Sequence, residues 1–332
     1  MVLPAGQRAG LAMGAYIIRR ILAMPVILFC VALISFTIIN AKGSPLDRFA
    51  FNPKVKPSDV ARMKHNLGLD EPVYVRFVRY LGTLIHGDLQ NSLIDSRPVT
   101  MLIGNALPNT LRLALVSLAV SLLTAIPLAV FAAVHRNSVL DRTILTGSIA
   151  SSSIPTVWLG LLLIIMFAVK FREWDLPYLP INGVKDTRNP GGFGDLVKHM
   201  ILPVTALALP QIAGWIWYIR NAMIEALQQD FVRTARSLGA KERSVRYIHA
   251  FRNCLIPIVT IAGLSLPDLF AGALITENVF GYPGMGRLTV QAIFNNDYTV
   301  IMGTTLIYAI LLLVGNLIAD MLYPVVDPRL RG

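Results

Sequence analysis

Residues 225–257, EALQQDFVRTARSLGAKERSVRYIHAFRNCLIP, form a polar, cation-rich insert between two long apolar runs. Leu227, Phe231, Ala235 and Leu238 recur at helical spacing on one face, with Arg233 and Arg236 off it. Gly239 then ends the helix, at the left-handed cap position that glycine suits. Lys241-Glu242-Arg243-Ser244 opens a second amphipathic run through Val245, Ile248 and Phe251 toward the next apolar stretch. The expected product is a short helix, a tight turn and a helix re-entering lipid. Small residues at Ala235 and Gly239 let another backbone approach closely, and the flanking arginines suit acidic groups or carbonyls on it. On chemistry alone the hairpin reads equally as a docking knob for another protein or as an ordinary basic loop between membrane spans.

The chain around it has 332 residues, 55% hydrophobic and only 15% charged, with a mean hydropathy of +0.60. That is too apolar for a soluble protein with a polar surface, so the chain is an all-α polytopic membrane protein. A net charge of +11 would suit nucleic acid, but the cations sit in loops between spans and form no basic face with stacking aromatics. Nucleic acid is therefore set aside as a partner. Cys30 and Cys254 have neither metal-ligand spacing nor the context of a disulfide scaffold, and read as packing residues. No catalytic, cofactor-binding or metal-ligating constellation is expected.

In chain order, residues 1–15 form an amino-terminal segment, and a first span over 16–40 opens on the basic pair Arg19-Arg20 and continues in an apolar run to Ile39 that is long enough to cross. A polar segment, 41–100, carries two helical signals, one from Ser58-Asp59 to Gly68 and one from Pro72 to Gly87. Residues 101–323 hold five further spans, at 105–134, 140–169, 200–223, 254–279 and 300–323, and a short tail covers 324–332. The hairpin carries Arg233, Arg236, Lys241, Arg243, Arg246 and Arg252, whereas the last opposite loop has Arg287 alone. This asymmetry places the hairpin, both termini and the tail in the cytoplasm and the 41–100 segment outside.

Polar residues at membrane depth are few. Ser151, Ser152, Ser153 and Thr156 surround Pro155 in the third span, where hydroxyls can satisfy carbonyls freed by a proline kink. With Gln211 and Asp268 they outline a translocation path; helix-packing glue is the competing reading. A lone carboxylate at the depth of Asp268 costs roughly 2.5–3.5 kcal/mol and needs a partner. Glu277 and Arg112 lie near outer span ends, where they reach water, and Asp320 lies near an inner end, within reach of a basic loop residue. The chain has no Gly-x-x-x-x-Gly-Lys-Ser/Thr loop, so ATP-driven work needs another polypeptide.

Glu225-Ala226-Leu227, Asp230-Phe231-Val232-Arg233-Thr234-Ala235-Arg236, Gly239 and Leu255-Ile256-Pro257 together resemble the EAA loop of ABC importer permeases. Along nearly its whole length the chain resembles the B-type permease subunit of dipeptide and oligopeptide importers. Tyr16-Ile17-Ile18-Arg19-Arg20, Leu67-Gly68-Leu69-Asp70-Glu71-Pro72, His86-Gly87-Asp88-Leu89 and Ser153-Ile154-Pro155-Thr156-Val157-Trp158-Leu159-Gly160 carry it, as do Glu277-Asn278-Val279-Phe280, Pro283-Gly284-Met285-Gly286-Arg287-Leu288, Asn296-Asp297-Tyr298 and Asp327-Pro328-Arg329. One departure is Gly43-Ser44-Pro45, where the family often has Gly-Asp-Pro. The resemblance implies the six-helix type I importer permease fold in a bacterial plasma membrane. It also implies a coupling role for Glu225, Ala226, Asp230, Arg233, Ala235, Arg236 and Gly239. The implied partners are a C-type permease, two cytoplasmic ATPases that hold ATP and Mg, and an extracytoplasmic peptide-binding protein. Competing readings are the same scaffold importing nickel, glutathione or a sugar-linked solute, an ATP-independent channel or carrier, and a non-transporting scaffold.

Overall fold

The computed structural model describes residues 5–41, 46, 58, 62, 64–65, 69–186 and 191–326, with backbone only at 5–16, 256, 266–268 and 322–326. Of the expectations above, most of the 58–68 helix, Gly43-Ser44-Pro45 and the side chain of Asp268 lie outside the described residues. The described chain is helical, with one isolated bridge between Asn91 and Pro98.

In chain order the helices are α1 (Ala5–Ala41), α2 (Val73–Ile85), α3 (Val99–Val134) and α4 (Val139–Ser152). Next come α5 (Thr156–Glu173), with a π turn over Ile165–Lys170, α6 (Gly192–Gln228) and α7 (Asp230–Ser237). Glu242–Ser244 and a π turn at Val245–Ala250 lead into α8 (Phe251–Val279), followed by α9 (Met285–Phe294) and α10 (Tyr298–Val326). Ile17–Ala41, Val99–Val134, Gly192–Gln228 and Tyr298–Met321 are each long and apolar enough to cross a bilayer. Two bent pairs, α4 with α5 and Glu242–Leu255 with Pro257–Ser265, bring the crossings to six when each counts once.

The interruption at Pro155 is sharper than a kink: α4 and α5 meet at 98°. Pro155 is extended (φ −57°, ψ 136°), and a proline disfavours helical backbone in the residue before it, so the helix stops and restarts. Ser152 and Ser153 both donate to the Ile149 carbonyl, at 2.9 and 2.8 Å, which closes the broken end.

The core is organised by α6, which packs on α3, α4, α5 and α8. Toward the hairpin end, Ala125, Ala129 and Ala133 repeat one turn apart on α3 and bury against Trp215, Ile219 and Met223 of α6. Small residues at that spacing let two lipid-embedded helices approach closely, and their packing replaces a hydrophobic driving force that lipid cannot supply. Toward the opposite end, Leu113 and Ala114 meet Met200, Val204 and Leu207. α1 packs chiefly on α10, and Arg20 pairs with Asp320 at 2.9 Å. The partner of Asp320 is thus an arginine of the first span.

Two acidic side chains lock the end opposite the hairpin. Asp297, before α10, accepts from Ser92 Oγ at 2.5 Å and Leu93 N at 3.1 Å, pinning the 89–98 turn to the bundle. Glu277 does not reach water, as its place near a span end had implied; it is 0% exposed. The chain after α8 doubles back over it, so its carboxyl accepts from Thr110 Oγ1 (2.6 Å), Gly286 N (2.6 Å) and Arg287 N (3.2 Å). Those amides open α9, where an acceptor satisfies donors that have no partner within the helix. Gly284 is required here, because a Cβ at that position would land on the Glu277 carboxyl. Arg112, in contrast, is exposed as expected.

Replacing Glu277 with Ala strands two buried donors and one half-buried one and is expected to cost about 3 kcal/mol or more. Glu277→Gln, which keeps an acceptor, costs less. Thermal unfolding of the detergent-solubilised chain checks this; three equal midpoints would show that the carboxyl does not hold the turn.

Candidate functional site

The hairpin differs from its sequence reading in one respect. Gln229 is extended (φ −76°, ψ 158°), so Glu225-Ala226-Leu227 end α6 while α7 begins afresh at Asp230. The single face drawn from Leu227 to Leu238 is therefore broken: Leu238 is 81% exposed, while Val232 is fully buried. Phe231 and Ala235 are half-buried, and Phe231 packs against the core cluster containing Met223, Ala226, Ala250 and Cys254. Ala226 is buried in that core. Glu225, Asp230, Arg233, Leu238 and Gly239 face outward.

Gly239 takes φ +81°, as its cap position requires. Ala240 N donates to Ala235 O (3.1 Å) and Gly239 N to Arg236 O (3.0 Å), a paired closure of the last turn of α7. An added Cβ would touch nothing, so the demand for glycine is conformational. Arg236 donates to Glu242 Oε1 at 2.7 Å and Arg246 to Oε2 at 3.1 Å, which staples the two arms of the hairpin. The hydrogen bond from Arg236, foremost, holds the Glu242 carboxyl below the usual carboxylate range.

Near this end lies an ion pair that sequence reading missed. Arg220 of α6 clasps Asp141 of α4 through Nε and Nη2 at 2.6 and 2.7 Å; their side chains are 12% and 2% exposed. Asn137, in the left-handed region at φ +65°, donates its N–H to Asp141 Oδ2 at 2.9 Å. Ser138 Oγ accepts from Asp141 N at 3.1 Å, capping α4. The turn between α3 and α4 is thereby fastened to α6 just before the hairpin. The sequence signal was present only as opposite charges bounding apolar runs, and nothing local matches partners so far apart.

Of the mid-depth polar residues, the structure brings two elements together: Ser151 Oγ donates to the Leu209 carbonyl at 3.3 Å, joining α4 to the stretch of α6 that carries Gln211. Gln211 is half-buried, and its Oε1 has no partner among the described residues. Ser152 and Ser153 are exposed and Thr156 is half-buried at the start of α5. This arrangement offers hydroxyls and a free amide oxygen to a polar solute.

At the end opposite the hairpin a cleft of about 930 Å³ opens between the 175–186 loop, the start of α6 and the 281–287 turn. Asp175, Lys185, Asp186, Asp195, Lys198 and Arg287 bring both signs of charge to it. Asp195 Oδ2 accepts from Asp186 N at 2.7 Å, bracing one wall.

Two family models match the chain: the binding-protein-dependent transport system inner membrane component over residues 125–332, and the amino-terminal part of such membrane components over residues 13–114. The oligopeptide transport system permease protein AppB of Bacillus subtilis is 40% identical over 321 residues, covering 96% of this chain and 100% of that protein. The di/tripeptide transport system permease protein DppB of Pseudomonas aeruginosa is 34% identical, covering 96% and 98%. The dipeptide transport system permease protein DppB of Escherichia coli is 33% identical, covering 95% and 98%. Among solved structures, the MetNI methionine ABC transporter shares the fold, with a TM-score of 0.52 at 20% identity over 68% of this chain and 97% of that one.

Removing one partner of a buried ion pair leaves an uncompensated charge. Arg220→Met alone is therefore expected to destabilise the solubilised chain by about 3 kcal/mol. The double variant Asp141→Leu with Arg220→Met should recover much of that loss. Additive losses in denaturant or thermal unfolding would show that the two residues act independently.

Proposed function

The chain belongs to the family of binding-protein-dependent transport system inner membrane components, and on that premise we propose that it is one permease subunit of an ATP-driven importer of di- or oligopeptides. Peptide as cargo is supported by relatives named for peptide transport that align over nearly the whole of both chains. ATP hydrolysis falls to partner subunits, since the sequence contains no phosphate-binding loop. The working assembly pairs this chain with a C-type permease on two cytoplasmic ATPases and receives cargo from an extracytoplasmic binding protein. It sits in the bacterial plasma membrane with the hairpin and both termini in the cytoplasm, in keeping with the concentration of cations there.

The observation that carries this reading is the two-sided hairpin helix α7. One side is committed to the core, with Val232 buried and Phe231 half-buried, and the other presents Asp230, Arg233 and Leu238 to a partner. When ATP closes the ATPase pair, α7 is displaced as a unit with the end of α6. The Asp141–Arg220 clasp passes that displacement to α4, and the right-angle break at Pro155 lets α4 and α5 swing about each other. Ser151, Ser152, Ser153, Thr156, Gln211 and Asp268 border the path that opens, offering hydrogen bonds to peptide amides at mid-depth. The charged outer cleft suits a zwitterionic peptide arriving from the binding protein. Hydrolysis returns the passage to the inward state.

Uptake of a labelled dipeptide into vesicles holding the complete importer tests this. Gly239→Val and Ala235→Leu are expected to cut ATP-dependent uptake about tenfold or more while insertion into the membrane persists, because the left-handed cap costs a β-branched residue roughly 1–2 kcal/mol and the docking face gains bulk. Gly239→Asn, which tolerates that conformation, should retain most uptake. Unchanged uptake with Gly239→Val, or uptake without ATP, would refute the assignment.

A further inference from the structure

Helix α2 is held against the far end of the first crossing by aromatic contacts. Phe77 lies 5.9 Å from Phe29 and 5.2 Å from Phe36 between ring centroids, and Tyr80 stacks on Phe36 at 5.8 Å. Phe29 and Phe36 belong to the apolar stretch Ile17–Ala41, so α2 sits at the outer edge of the bilayer rather than above it. Its side away from α1 exposes Val73, Tyr74, Val78 and Ile85, and α1 exposes Leu33 and Ile38. Such apolar faces at this level are covered by lipid.

In the corner between α1, α2 and α10 is a cleft of about 110 Å³, lined by Asn40, Arg76, Arg79 and Tyr298, with Phe36 and Met302 one turn deeper. At that volume it holds the equivalent of about three or four waters, enough for a phosphate group and well below the ~300 Å³ at which drug-sized ligand pockets begin. The charge is unbalanced. Arg79 uses one of its five donors on Glu71, at 2.7 Å. Arg76 is half-buried with its guanidinium 5.9 Å from the Phe36 ring centroid. Its guanidinium makes no hydrogen bond or ion pair among the described residues, and among them the carboxyl whose charge reaches it is that same Glu71. Among the described residues two guanidiniums therefore share one carboxylate, and a partly desolvated cation of this kind calls for an anion.

We infer that this corner binds the phosphate of an anionic phospholipid from the leaflet opposite the coupling hairpin, with Arg76 and Arg79 on the headgroup and the acyl chains along the exposed face of α1. A lipid source fits better than a free anion because the cleft adjoins apolar surface, and basic pockets between membrane helices are a recurrent headgroup site. Peptide cargo is disfavoured, since α1 packs chiefly on α10 and stands outside the α3, α6 and α8 core. The lipid fixes the height of α2 and, through Tyr298, the start of α10.

The test is retention of dioleoyl phosphatidylglycerol by the delipidated, detergent-purified full chain, followed by native mass spectrometry. Charge-assisted hydrogen bonds to phosphate predict that Arg76→Gln weakens binding about tenfold, with Arg76→Lys intermediate. The Arg76 side chain holds nothing else among the described residues by hydrogen bonding, so the variant should elute as the parent does. Arg79→Gln provides a second arm, expected to move in the same direction, and Arg246→Gln in the hairpin is expected to change nothing. Binding of phosphatidylglycerol by Arg76→Gln at parental strength would overturn the site. Displacement by an equal concentration of inorganic phosphate would overturn the lipid as its occupant.

Discussion

The packing of Val232 and Phe231 under the hairpin is the contact on which the proposed coupling depends. A surface helix of eight residues is too short to be stable alone, and the ion pairs around Arg236 and Glu242 are exposed and individually weak. Fully burying a side chain such as Val232 contributes about 1.5–3 kcal/mol, and half-buried Phe231 adds to it, which makes α7 part of the bundle rather than a loop resting on it. Its orientation follows: with one side committed to the core, Asp230, Arg233 and Leu238 have only the outside left to face. On the proposed coupling, a push on that surface is delivered to the end of α6.

What α6 does with the push is set by its length and its neighbours. At 37 residues it runs about 55 Å, touching the α3 alanines near the hairpin and Leu113 at the other end. Close-packed contacts of that kind do not deform continuously. The buried Asp141–Arg220 clasp adds a polar link whose loss leaves a bare charge, so α4 follows α6 where the hairpin joins. At the other end Glu277 and Asp297 fix the turns around α9 and α10, which would give helices moved by the hairpin a fixed outer frame.

Much of this was legible in the sequence, for physical reasons that can be named. Gly239 was readable because only a left-handed cap explains a glycine between two amphipathic runs, and Pro155 because a missing donor must interrupt a helix. The crossings followed from long apolar stretches bounded by charge. What stayed hidden was long-range or a matter of degree. Gln229 carries no breaker signal, so the division between α6 and α7 could not be placed. Glu277 looked terminal because α8 ends two residues later, and only the return of Gly284 to Arg287 over it shows the burial. Arg220 needed a partner from another helix, and the size of the bend at Pro155 depends on what α4 and α5 pack against.

If α7 seats against an ATPase subunit on the cytoplasmic side, Leu238, exposed at the tip of the hairpin, is the residue that meets it. With Leu238→Cys in the assembled importer, the account predicts cross-linking to the ATPase subunit, a yield that changes between ATP-bound and ATP-free states, and no labelling by an impermeant maleimide added outside intact cells. Labelling from outside, or an introduced thiol that stays free and equally reactive with and without the ATPase subunits, would contradict it.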